Sequence, residues 1–102
     1  MFGFRKRDSL DIVKEVIPPI AKKYGIIRIY LFGSRARGDN RKNSDYDLCI
    51  LIPKEMTLLR LASFHEEISE ALGSDVDLAY EDEMSEHFLT SIRNDMRLIY
   101  EC

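Results

Sequence analysis

Cysteine is scarce in this chain. Its 102 residues include two, Cys49 and Cys102, too few for the disulfide framework that staples small secreted domains. Both are therefore expected to be reduced thiols of a cytoplasmic protein. An excess of positive charge is missing as well: 15 Lys and Arg against 18 Asp and Glu leave a net charge of −3. That balance argues against a general nucleic-acid coat, which is normally basic, and no direct nucleic-acid binding is expected. Long apolar runs are also absent, and none approaches the roughly 20 residues that span a bilayer. Arg5-Lys6-Arg7 leads into Asp8-Ser9 rather than an apolar stretch, so neither a signal peptide nor a membrane anchor is expected. No internal repeat or low-complexity segment interrupts the chain.

What is present fits one compact domain over residues 1–102, with 45% hydrophobic and 32% charged residues. The Phe2-Gly3-Phe4 start reads as a frayed end or a small contact patch. Ser9 is positioned to cap a first helix, in which Leu10, Val13, Ile17 and Ile20 recur at helical spacing. Pro18-Pro19 should kink or interrupt that helix, because an interior proline removes a backbone donor and crowds the preceding turn. Tyr24-Gly25 should end it. A strand over 27–32 is apolar on both faces, as suits a central strand covered on both sides. A second strand over 45–52 ends at Pro53. Thr57 can cap a helix that runs to Leu72 with Leu58, Leu61, Ile68 and Leu72 inward, stopped by Gly73. A third strand over 74–80, a helix over 83–94 and a last strand over 97–101 complete the pattern. The acidic run Glu81–Glu83 is read as the opening of that fourth helix, where the helix dipole favours negative charge. His65 and His87 lack partners at metal-ligand spacing and read as structural.

The informative stretch is 29–52, IYLFGSRARGDNRKNSDYDLCILI. A buried strand stops at Gly33-Ser34, a polar basic loop (38–44) expected to be mobile until ligand arrives follows, and a second strand opens on Asp45-Tyr46-Asp47. Alternation sends Asp45 and Asp47 to one face and Tyr46 and Leu48 to the other. Two like charges about 4 Å apart repel by about 4 kcal/mol at an effective dielectric of 20, so such a pair is kept where a cation sits between them. A hard divalent ion with oxygen ligands is the natural candidate. Gly33 lets the backbone turn and approach a ligand without a Cβ in the way, and Ser34 can cap a short helix whose free N–H groups suit phosphate. Together they suggest metal-bridged nucleotide phosphates.

Gly33-Ser34 followed by Asp45-x-Asp47 resembles the signature of the polymerase-β-like nucleotidyltransferases. The longer strings, Leu31-Phe32-Gly33-Ser34-Arg35-Ala36-Arg37-Gly38 and Ser44-Asp45-Tyr46-Asp47-Leu48, resemble the minimal nucleotidyltransferase (MNT) subgroup. The resemblance implies an α+β fold, a mixed sheet of about four strands with about four helices. It implies two Mg2+ ions held by Asp45, Asp47 and a third carboxylate from a neighbouring strand, with ATP as substrate. Asp77 fits the third position, where it would also help deprotonate the acceptor hydroxyl, and Asp75 is its rival. Ser34 would bind the outer phosphates and Gly33 would permit their approach. Arg35 and Arg37 would steady triphosphate charge, or else be ordinary solvated loop arginines. MNT proteins of this kind are generally encoded beside a helical HEPN-domain partner. The resemblance thus implies a cytoplasmic antitoxin that moves AMP onto a tyrosine of a HEPN ribonuclease toxin, in a hetero-oligomer with it. Two alternatives stay open: a non-catalytic antitoxin that neutralises by binding, and a small-molecule, antibiotic-type nucleotidyltransferase with a separate acceptor-binding subunit.

Overall fold

The computed structural model describes residues 8–102; the Phe2-Gly3-Phe4 start and its basic triplet lie outside the described residues. The chain runs α1 (Ser9–Tyr24), β1 (Arg28–Phe32), α2 (Ser34–Arg37), β2 (Tyr46–Leu51), α3 (Leu58–Leu72), β3 (Val76–Tyr80), a 3-10 turn (Glu81–Glu83), α4 (Glu86–Ile92) and β4 (Arg97–Glu101). The strands form one mixed sheet of order β3-β2-β1-β4. β1 pairs antiparallel with both β2 and β4, while β2 and β3 run parallel. This is the α+β, four-strand mixed sheet expected from the sequence.

The sheet separates two cores of unequal size. On one face α1 (Val13, Ile17, Ala21) and α3 (Phe64, Ile68) bury Ile29, Leu31, Tyr46, Leu48, Ile50 and Val76. On the other, a small cluster of Phe32, Cys49 and Ile92 packs with Tyr30, Ala79, Met84 and Met96. β1 is therefore covered on both sides, as its two-sided apolarity requires. Burial pushes the Cys49 thiol up to about 11, which leaves it an inert core residue. Both cysteines are free thiols. No helix among the described residues is long and apolar enough to cross a membrane.

Several local expectations are corrected. Asp8, not Ser9, caps α1, accepting from the Asp11 N–H, and Ser9 is a buried first helical residue. Pro18-Pro19 does not interrupt α1, which continues to Tyr24. Each proline lacks the N–H that would bond to the residue four back, Lys14 or Glu15, and both of those residues are exposed, where losing such a bond costs less than in a buried turn. In α3, Thr57 is the cap as expected, but Leu58 is 85% exposed and Phe64 takes the central inward position. The acidic run forms its own 3-10 turn, and Ser85 caps a shorter α4. Glu81 is drawn away from the helix by Arg28, whose Nε and Nη2 both donate to its carboxylate. His65 is structural, its Nε2 lying 2.6 Å from the Val76 carbonyl oxygen.

Candidate functional site

Register decides which carboxylates meet. In the parallel β2/β3 pair Asp47 lies directly opposite Asp77, and adjacent strands are about 4.8 Å apart. In the antiparallel β1/β2 pair Asp47 faces Phe32, the residue before Gly33. The sheet thus brings Asp47, Asp77 and the Gly33 turn side by side on the face opposite α1 and α3. Asp45 stands two residues ahead of Asp47, just before β2 begins. Beside the aspartates this face is covered by α4, whose Phe88 meets Phe32 edge-on at 6.1 Å. The aspartate end is open: Asp45 and Asp77 are exposed and Asp47 is half-buried.

The three carboxylates interact. Burial holds Asp47 above its ordinary value of 3.8, and the nearby charges of Asp77 and Asp45 add to the rise while Arg37 opposes it. No three His, Cys, Asp or Glu side chains among the described residues are drawn together tightly enough to cage an ion. Asp75 stands apart from this group. It precedes β3 and lines, with Lys42, Asn43, Asp45, Ser69 and Gly73, a cleft of about 850 Å3. Asp45 is the one carboxylate common to both regions.

The turn is built around a contact only glycine permits. Gly33 has φ 75° and ψ −159°, a region essentially closed to residues with a Cβ. A Cβ added there would lie 2.3 Å from Asp47 Oδ2. The carboxylate of Asp47 therefore rests directly against the backbone of the turn. Gly33, rather than Ser34, is the N-cap of α2, and no side chain caps that helix. The Ser34 hydroxyl makes no hydrogen bond to the protein among the described residues, which leaves it available to a ligand. This cradle, and the hard oxygen donors beside it, fit a divalent ion with nucleotide phosphates.

The two arginines differ. Arg37 is exposed, paired with Asp39 at 3.1 Å and Asp95 at 3.0 Å, and its charge is felt at Asp47. Arg35 is only 8% exposed. Its guanidinium lies over the Tyr46 ring, 4.1 Å from the centroid, and donates to the carbonyls of Ser44 and Lys42 and to Ser9 Oγ. It is neither solvated nor part of a loose loop. These bonds and that from the Arg41 N–H to Ser44 Oγ hold the last residues of the 38–44 loop. Sequence reading missed Ser9, Ser44, Tyr46 and Asp95, because nothing local to those residues marks them as partners of distant arginines.

Comparison with known proteins agrees with this geometry. Residues 14–102 match the family described as Polymerase beta, Nucleotidyltransferase. A Methanocaldococcus jannaschii protein named "Putative protein adenylyltransferase" is 34% identical over 70 residues, covering 69% of this chain and 75% of that one. A solved structure named "putative minimal nucleotidyltransferase" superposes with a TM-score of 0.74 at 26% identity, covering 92% of this chain and 98% of that one. A chain in the complex of a tri-AMPylated Shewanella oneidensis HEPN toxin with MNT antitoxin has the same fold, with a TM-score of 0.66 at 19% identity over 91% of this chain and 73% of that one. With the family matched over most of its length and a carboxylate pair set against a glycine turn, this chain belongs to the polymerase β nucleotidyltransferases.

Proposed function

We propose that this protein is a protein adenylyltransferase, moving AMP from ATP onto a tyrosine hydroxyl of a HEPN-domain toxin and thereby silencing it in the cytoplasm. The observation that carries the reading is the pairing of Asp47 with Asp77 beside the Gly33 turn. Family membership, the adenylyltransferase name of the archaeal relative and the fold shared with a toxin–antitoxin complex support it. Two free cysteines suit a reducing compartment.

In this reading Asp45, Asp47 and Asp77 would hold two Mg2+ ions, which would supply neutralisation of phosphate charge. Gly33 lets the triphosphate approach the backbone, the Ser34 hydroxyl donates to an outer phosphate oxygen, and Arg37 balances phosphate charge. Asp77, exposed on the edge strand β3, takes the proton of the acceptor hydroxyl. The hydroxyl oxygen then bonds to the α-phosphorus as the bond to the β-phosphate bridging oxygen breaks, and pyrophosphate leaves. Arg35, whose donors are taken by the protein, does not bind phosphate.

Incubation of the protein with ATP, Mg2+ and its HEPN partner, followed by intact-mass measurement, tests this reading. The expected result is one or more AMP increments on the partner, placed on tyrosine by fragmentation. A partner that is silenced without any gain in mass would refute the enzyme account and leave neutralisation by binding. AMP found only on a small molecule such as an aminoglycoside would refute the protein acceptor.

A further inference from the structure

We propose that Arg35 is a positioning residue for nucleotidyl transfer, fixing where the Asp45 carboxylate stands by clamping the residues on both sides of it. The inference rests on the nucleotidyltransferase reading of the site. Asp45 is exposed, lies outside β2 and has no hydrogen-bond partner for its side chain among the described residues, so the backbone alone sets where its side chain starts and how far its carboxylate can reach.

That backbone is held from each neighbour. Before Asp45, the Ser44 carbonyl receives a two-pronged contact from Arg35, Nε at 2.9 Å and Nη2 at 2.8 Å. After it, the Tyr46 ring lies beneath the same guanidinium. Nη2 also reaches the Lys42 carbonyl at 3.2 Å, and Nη1 donates to Ser9 Oγ at 2.9 Å. Ser9 begins α1, which is fastened to the main core by Val13 and Ile17. One buried cation thus couples the large core to the peptide that presents Asp45, and it does so from α2, the helix that opens at the Gly33 turn. The phosphate cradle and the first carboxylate are held by one side chain. Lysine could not substitute: a single ammonium cannot fork onto one carbonyl and also present a flat face to a ring.

A merely structural role would lower stability without changing how the folded protein handles a divalent ion. Arg35→Lys and Arg35→Gln would therefore be compared with wild type and with Ser9→Ala, which severs only the tether to α1. Hydrogen exchange of amides 42–46, without nucleotide or metal, should quicken in both Arg35 variants. In calorimetric titration with Mn2+ in the presence of ATP, those variants should bind Mn2+ about 10- to 100-fold more weakly, the usual cost of losing a residue that orients a ligand from behind. Their kcat for AMP transfer should fall while KM for ATP stays near wild type. Ser9→Ala, which keeps the fork on the Ser44 carbonyl and the Tyr46 contact, should lower thermal stability and weaken Mn2+ binding less than either Arg35 variant. Folded Arg35→Lys protein with wild-type exchange and wild-type Mn2+ affinity would overturn the proposal, even where Arg35→Gln fails to fold. Wild-type protein that binds no Mn2+ with ATP would sink the nucleotidyltransferase reading itself, and the exchange data would still report on the clamp.

Discussion

Asp47→Asn is expected to abolish AMP transfer while making the protein more stable. The loss of transfer should be on the order of 1,000-fold or more, since the substitution removes a carboxylate that would hold the divalent ions balancing phosphate charge. The gain in stability follows from the sign of the Asp47 shift. Its carboxyl is held above 3.8 by burial first, then by Asp77 and Asp45, so the folded protein binds this proton more tightly than the unfolded chain does. Above the raised value, folding must keep Asp47 ionised among like charges, and the neutral amide relieves that cost. The gain should be about 1 kcal/mol, the scale of a partly solvated like-charge contact, or about 4–8 °C in Tm for a domain of this size. As pH falls through the raised value the two proteins should converge. Below the unfolded value Asp47 is neutral in both folded and unfolded protein, and no difference should remain. Thermal melts at pH 7.5 and pH 3.5 test this directly. A variant that melts below wild type at neutral pH would contradict the electrostatic account. Silencing of the toxin that survives the substitution would favour neutralisation by occlusion.

Gly33→Ala should be damaging in both respects. A non-glycine residue at φ 75° and ψ −159° costs about 1–3 kcal/mol in backbone strain. The new Cβ would also stand 2.3 Å from Asp47 Oδ2, well inside any permitted contact. Because the obstructing atom is the end of a side chain, the fold can survive by rotating the Asp47 carboxylate away. That rotation is what transfer cannot tolerate, and the expected loss is about 100-fold or more. Gly25→Ala is the matched control. It too has a positive φ, 74°, yet a Cβ there meets nothing within 4 Å. It should lower stability by about 1–2 kcal/mol and leave transfer at the wild-type rate. Equal activity in the two alanine variants would show that the contact between the turn and Asp47 is irrelevant to chemistry.

The sequence made much of this legible because the features involved are local. Thr57 and Gly73 bound α3 as their chemistry requires. The bounds of β4 could be read from the chain itself. Asp77 fits the third position by resemblance, and the register sets it against Asp47. The unread parts all depended on distant partners. Arg35 looks like any basic loop residue until Tyr46 is folded beneath it, and Glu81 reads as a helix opening until Arg28, 53 residues earlier, takes its carboxylate. Leu58 and Leu61 fit the inward stripe of α3 as well as Phe64 does by spacing alone. Only the position of α1, packed against the middle of that helix, decides that Phe64 is buried and Leu58 is not. Proline at 18 and 19 was an error of a different kind. The rule that proline breaks helices weighs most where the lost bond is buried, and the residues four back, Lys14 and Glu15, are exposed.

The central claim is that Asp45, Asp47 and Asp77 form one divalent-ion site beside the Gly33-Ser34 turn. It is tested most directly by locating Mn2+ through anomalous scattering in crystals grown with a non-hydrolysable ATP analogue. The account predicts manganese between the carboxylates of Asp47 and Asp77, with the triphosphate against Gly33 and Ser34. Manganese held instead at Asp75 in the neighbouring cleft, with the aspartate face of the sheet empty, would contradict it.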